Sequence, residues 1–370
     1  MTDNIHKING LRGLSPRSEV LASPLAHHGA LDCAELERLG LDPEEVVDFS
    51  VNSNPYGPSP AVREALTSVP LHRYPDREAL ALRRALADRL DVPPNRILAG
   101  NGVAELLWLV ALAFVRPGDR VLVVGPTFGE YSRVAALMGA RVETWTARPE
   151  QDFAVELDEV AQSLQRVQPQ VAFLCNPNNP TGATISLEAI AGWAQAHPRT
   201  LFAVDEAYLT FAAGLRSALA AEVDNVLVLR SMTKDYALAG LRLGYAVGRR
   251  EVINVLAQVR PPWSVNAMAQ AAGVAALADE EHLRWSMGEL ARAKEALVAG
   301  LRGLDLRPLP SAVQFFLIRV GDGAAFRRAL LRWKVQVRDC ASFGLPSYVR
   351  IATRRPEENA LLLEAIREVV

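Results

Sequence analysis

The chain has 370 residues, half of them apolar, enough to bury a large core in two domains or in one large domain with an appendage. A net charge of −2 and a pI near 6.3 give no electrostatic reason to expect nucleic acid or an anionic membrane as partner. Cys33, Cys175 and Cys340 lie far apart without metal-ligand spacing, so neither a metal centre nor a disulfide framework is expected, and a reducing cytoplasm is the simplest home.

Residues 1–30 carry scattered charge, Gly and Pro with weak periodicity, and read as an N-terminal arm that needs a partner surface to become ordered. No apolar leader follows Met1, and no run of about 18 apolar residues occurs, so a soluble chain that is not exported is expected. The spacing predicts a helix from Asp32 to Leu39, a short strand from Val46 to Ser50, and a loop, Asn52 to Pro58, whose Asn, Pro and Gly set turn geometry. A helix is predicted from Arg77 to Leu90. Asn101-Gly102 then opens an apolar helix at Val103, and such a start offers free N–H groups and a positive dipole end to a phosphate.

Strand-like runs at 120–124, 170–174, 200–204 and 225–229 alternate with helical segments, which argues for a mostly parallel sheet with helices on both faces. Each run ends in polar or turn residues: Gly125-Pro126-Thr127-Phe128, Asn176-Pro177-Asn178-Asn179-Pro180-Thr181-Gly182, Asp205-Glu206-Ala207-Tyr208, and Ser231-Met232-Thr233-Lys234. In open α/β sheets that edge is where ligands bind. From about residue 261 the pattern turns helical, with one long charged-faced helix expected to bridge two domains. A small α/β unit closes the chain, with strands predicted at 314–318, 335–338 and 348–351. The expected domains are residues 46–265 for the large one, and 31–45 with 266–370 for the small one.

Lys234, between Ser231, Thr233 and Arg242, suits a ligand with an aldehyde and a phosphate: the amine can form a Schiff base while the others hold the anion. The stretch from Ser231 to Gly244 fits Ser-x-x-Lys-x5-Gly-x-Arg-x-Gly at every fixed position, and so resembles the lysine motif of fold-type I pyridoxal-phosphate enzymes of the class I/II aminotransferase family. The resemblance spans roughly residues 46–369. It implies an α/β fold: a large domain with a mostly parallel seven-stranded sheet flanked by helices, plus a smaller α/β domain. It also implies pyridoxal 5′-phosphate as cofactor and a homodimer with shared active sites.

Carried over by motif, Asp205 pairs with the pyridine nitrogen, Tyr208 and Asn179 bond the ring hydroxyl, and Phe128 stacks on the ring. The phosphate is held by the Gly102 and Val103 N–H groups, Ser231, Thr233, Arg242 and Tyr74 of the neighbouring subunit. Arg350, in Tyr-Val-Arg-Ile, binds the substrate carboxylate, for which a planar guanidinium is suited. Each residue also has a plainer reading: a helix-cap aspartate, a turn asparagine, a core phenylalanine, a surface lysine. Arg354 and Arg355 read as surface charges.

Two branches of the family compete. Val47 to Pro55, His27-His28-Gly29, and Pro262 to Asn266 look like threonine-phosphate decarboxylases of cobalamin biosynthesis. Asn54 to Pro60 and Arg73 to Asp76 are also similar to histidinol-phosphate aminotransferases, in which Tyr56 helps bind substrate. Arg338 either binds a substrate phosphate or makes a structural ion pair. Three stretches against two favour the decarboxylase-like branch. Histidinol-phosphate transamination with 2-oxoglutarate is the alternative, and a transaminase on another amino acid stays open. Tyr56, Asp235 and Gln314 depart from the family pattern. A non-catalytic DNA-binding regulator needs a helix-turn-helix unit, which residues before 46 do not suggest.

Overall fold

The computed structural model describes residues 15–23 and 29–369. Most of the expected arm and the His27-His28 pair therefore lie outside the described residues. Twelve strands are described: β1 (Val47–Asp48), β2 (Ile97–Gly100), β3 (Arg120–Gly125), β4 (Arg141–Thr146), β5 (Val171–Cys175), β6 (Leu201–Asp205), β7 (Val226–Ser231), β8 (Gly244–Val247), β9 (Phe315–Arg319), β10 (Val335–Gln336), β11 (Arg338–Asp339) and β12 (Tyr348–Ala352).

Seven of them form the main sheet in the order β2-β8-β7-β6-β5-β3-β4. Only β8 runs against its neighbours; β3 to β7 pair in parallel. Alternate residues leave opposite faces. Val121, Val123, Phe173 and Ala203 pack under the helices Gly102–Phe114 and Arg250–Val259, while Leu122, Val124, Leu174 and Phe202 pack under Leu157–Val167 and Leu187–Ala196. Covering on both sides is why these strands read as unbroken apolar runs.

The second unit holds the antiparallel sheet β11-β12-β9 and the parallel pair β1-β10. The run predicted as one strand at 335–338 is divided at Val337 between these two sheets. The expected limits at 46 and 266 cut across packed elements. β1 pairs with β10 and Phe49 enters the small-unit core, whereas the helix Ala267–Ala278 packs Ala269 and Ala272 with Leu243 and Tyr245 beside the main sheet. The helix Glu280–Arg302 links the two units. Near its start Ser286 accepts a hydrogen bond from Asn54 Nδ2 at 2.9 Å, and near its end Leu297 and Leu301 join the small-unit core. Among the described residues no helix is long and apolar enough to cross a membrane, and no cluster of His, Cys, Asp and Glu is arranged to hold a metal.

Candidate active site

β6 and β7 are neighbours in register, Asp205 opposite Leu229, so Asp205 and the Lys234 turn open on the same sheet edge. Lys234 is partly buried, and its backbone carbonyl accepts from Asn54 N at 2.8 Å. Burial pushes its amine down to about 8; the positive charges of Arg350 and Arg242 act in the same direction and Asp205 opposes them. Asp205 is 5% exposed, and burial lifts its carboxyl to about 6. Its two hydrogen bonds come from neutral groups, Tyr131 Oη at 2.7 Å and the Ala207 N–H at 3.0 Å.

Tyr131 escaped the sequence reading because it looks like a core aromatic, which it also is: it stacks on Phe173 at 5.4 Å and meets Phe128 edge-on at 5.6 Å. The helical start Glu130–Leu137 just after β3 was the available signal.

The residues expected within this chain to hold a phosphate come together. Gly102 opens its helix at φ +75°, and a Cβ there would lie 2.9 Å from Arg242 Nη2. The positive φ favours glycine there, and a Cβ would press on the end of the guanidinium. Gly244 approaches as closely, since its missing Cβ would stand 2.9 Å from Val103 N. Ser231 and Thr233 hydroxyls are 2.6 Å apart and both are buried.

On the opposite side, Arg350 is 4% exposed and clamped: one nitrogen donates to Asn179 Oδ1, another to the Ser50 carbonyl at 2.6 Å, and the guanidinium lies 5.4 Å above the Phe315 ring. Tyr208, whose phenol burial pushes up to about 12, accepts from Asn52 Nδ2 at 3.3 Å and meets Phe315 edge-on. Arg338 stands directly opposite Arg350 across β11 and β12 and donates to Ser342 Oγ at 2.7 Å.

Tyr56 lies further out, edge-on to Trp285 at 5.0 Å and under Arg355 at 5.6 Å. Tyr74 is apart from all of these, 80% exposed and stacked on Trp263 at 4.6 Å. Arg354 corrects the surface-charge expectation: it is half-buried, paired to Glu358 and donating to the Asp48 carbonyl at 3.0 Å, which ties the final helix to β1. Asp235, the departure beside the lysine, turns inward to accept from Thr210 Oγ1 at 2.7 Å.

A partly buried amine and a buried acid at one edge of a mostly parallel sheet, with an arginine against a glycine helix start, suit an enzyme that works through a carbonyl cofactor. The chain belongs to the aminotransferase class I and II family, whose model matches residues 44–366. It is similar to a histidinol-phosphate aminotransferase of Symbiobacterium thermophilum, 41% identical over 338 residues, which cover 89% of this chain and 91% of the relative.

Among solved structures it is similar to the histidinol-phosphate aminotransferase of Sinorhizobium meliloti in complex with pyridoxal-5′-phosphate. The TM-score there is 0.85 at 26% identity, over 97% of this chain and 100% of that one. The L-threonine-O-3-phosphate decarboxylase of Porphyromonas gingivalis also matches, with a TM-score of 0.76 at 28% identity, over 87% of this chain and 98% of that one.

Proposed function

We propose that this pyridoxal-phosphate enzyme is an aminotransferase of the histidinol-phosphate type, exchanging the amino group with the 2-oxoglutarate/glutamate pair. The observation that carries it is the 41% identity to a histidinol-phosphate aminotransferase over nine-tenths of both chains; the solved structures of the two branches are matched at similar identity, 26% and 28%. The balance of motif stretches favoured the decarboxylase, but those stretches are short, and whole-chain similarity weighs against them.

The residues fit the cofactor. Asp205 is a buried acid bonded only to neutral donors, so a protonated ring nitrogen would supply the charge that burial otherwise withholds. Gly102, Val103, Ser231, Thr233 and Arg242 would hold the phosphate, with Tyr74 reaching in from a second copy. Tyr208 and Asn179 would bond the ring hydroxyl, and Phe128 would cover the ring face. When bound, the cofactor supplies an electron sink for a carbanion at the substrate Cα.

The chain's own part is positioning and proton transfer. Lys234, whose amine burial brings down to about 8, is neutral far more often at neutral pH than an ordinary lysine, and its Nζ can take the proton from the substrate Cα and return it elsewhere. Arg350 would fix the substrate's acid group, and Arg338 and Tyr56 would bound the remainder of the substrate.

The test is direct. Protein incubated with histidinol phosphate and 2-oxoglutarate should form glutamate, and protein given threonine phosphate should release no carbon dioxide. Carbon dioxide release without glutamate formation sinks the proposal. Borohydride treatment of the holoenzyme should leave the cofactor mass on the peptide carrying Lys234.

A further inference from the structure

Among the buried polar atoms that have no hydrogen-bond partner in the described residues are Asn52 Oδ1, Gln314 Oε1 and Arg350 Nε. These three belong to one neighbourhood. Gln314 Nε2 donates to the Asn52 carbonyl at 2.9 Å, Asn52 Nδ2 donates to Tyr208 Oη at 3.3 Å, and Phe315, next to Gln314, lies against both Tyr208 and Arg350. Gln314 is 3% exposed, Asn52 2% and Arg350 4%. Unmet polar atoms are costly and uncommon inside proteins, and several beside one site point to a group that arrives from outside.

The chemistry of that group follows from the amide orientation. A backbone carbonyl can only accept, so the Gln314 nitrogen must face Asn52 and its oxygen must face away as an acceptor. The unmet need at Gln314 is therefore a donor. On the aminotransferase reading, on which this rests, the substrate amine would be taken up by the cofactor's aldehyde carbon in place of Lys234, and the acid group by Arg350. The donor that remains is on the side chain.

We propose that Gln314 Oε1 receives a side-chain N–H of the amino substrate, as an azole ring carries, and is a specificity-determining residue. Gln314 is also one of the positions where the sequence departs from the family pattern, with an amide one methylene longer than the frequent asparagine. Glutamate has no side-chain N–H, so the two substrates that share this site should feel Gln314 differently.

The experiment follows the two half-reactions of the holoenzyme separately, with histidinol phosphate and with glutamate, in wild type and Gln314→Met. Methionine keeps the volume and removes the acceptor. The ratio of KM for histidinol phosphate to KM for glutamate should rise about tenfold or more. An unchanged ratio overturns the inference, whether both constants move together or neither moves. If Gln314→Met does not fold, because the Asn52 carbonyl loses its donor, wild type carries the test with histidinol phosphate methylated on its ring nitrogen, which has no ring N–H to give and should show a KM about tenfold higher; an unchanged KM overturns the inference. Wild type that fails to react with histidinol phosphate overturns the functional reading and this inference together; wild type that reacts, with a variant that keeps its KM ratio, overturns the inference alone.

Discussion

Lys234 and Asp205 are pushed toward neutrality by the same cause, burial at one sheet edge, and this has a thermodynamic consequence. The lysine ionises at about 8 in the folded chain against 10.5 for a free side chain, so its folded pKa is depressed. The stability it contributes as a neutral amine is complete above 10.5 and is lost as pH falls through 8. Protein stripped of cofactor should therefore gain stability from Lys234→Met at pH 7, where the wild-type amine must be buried charged. Thermal melts should show a rise in Tm that shrinks as pH increases from 8 to 10.5. A variant less stable than wild type at pH 7, or a gain that does not change with pH, would show that the amine is not desolvated. The aspartate works in the opposite sense, since its raised pKa makes the ionised form the costly one above about 6. That cost is what a cationic ring nitrogen offsets.

The elements that carry these residues differ in how plainly the sequence announces them. β5, β6 and β7 were legible because both faces are covered, which leaves unbroken apolar runs ending at conspicuous polar residues. β4 was not, because it is an edge strand with a polar and partly exposed pattern, Arg-Val-Glu-Thr-Trp-Thr. β8 is four residues that follow a loop already read for its chemistry, and β10 and β11 are two-residue strands that only tertiary pairing separates. The site divides in the same way. Lys234, Asp205 and Arg242 stand in fixed-spacing motifs, whereas Tyr131 and the Asn52–Gln314 pair become visible only through contacts between residues far apart in sequence.

The helix start at Gly102 joins local sequence to tertiary contact, because its positive φ is a backbone property and its 2.9 Å approach to Arg242 is not. Gly102→Ala should cost about 1–3 kcal/mol through the unfavourable φ alone. It should also weaken pyridoxal-phosphate binding by displacing Arg242. Denaturant titration and a cofactor binding curve measure the two effects. A loss of stability with no loss of affinity would separate the helix start from the phosphate site.

At the scale of the whole molecule, one residue of the expected site does not join the rest. Tyr74 is 80% exposed and its ring is stacked on Trp263, itself 44% exposed, so the pair presents an aromatic surface outward. Single exposed aromatics are ordinary, but a stacked pair held off the core has given up burial that a partner surface would restore. If that partner is a second copy and Tyr74 reaches its site, the symmetry of a closed dimer makes the sharing reciprocal, each Tyr74 serving the other chain's Lys234. The prediction distinguishes this from a tyrosine acting within its own chain.

Lys234→Ala and Tyr74→Ala chains, co-expressed with different tags and purified as the mixed dimer, combine into one site with both residues intact and one with neither, provided the tyrosine crosses over. Such a mixed dimer should show about half the wild-type activity per dimer, while each variant alone is nearly inactive. A tyrosine that serves its own chain leaves every site of the mixed dimer one residue short, and the activity should then stay near that of the single variants. Sedimentation that finds only monomer removes the sharing altogether. In that case the phosphate cradle must close with Arg242, Ser231, Thr233 and the helix start alone.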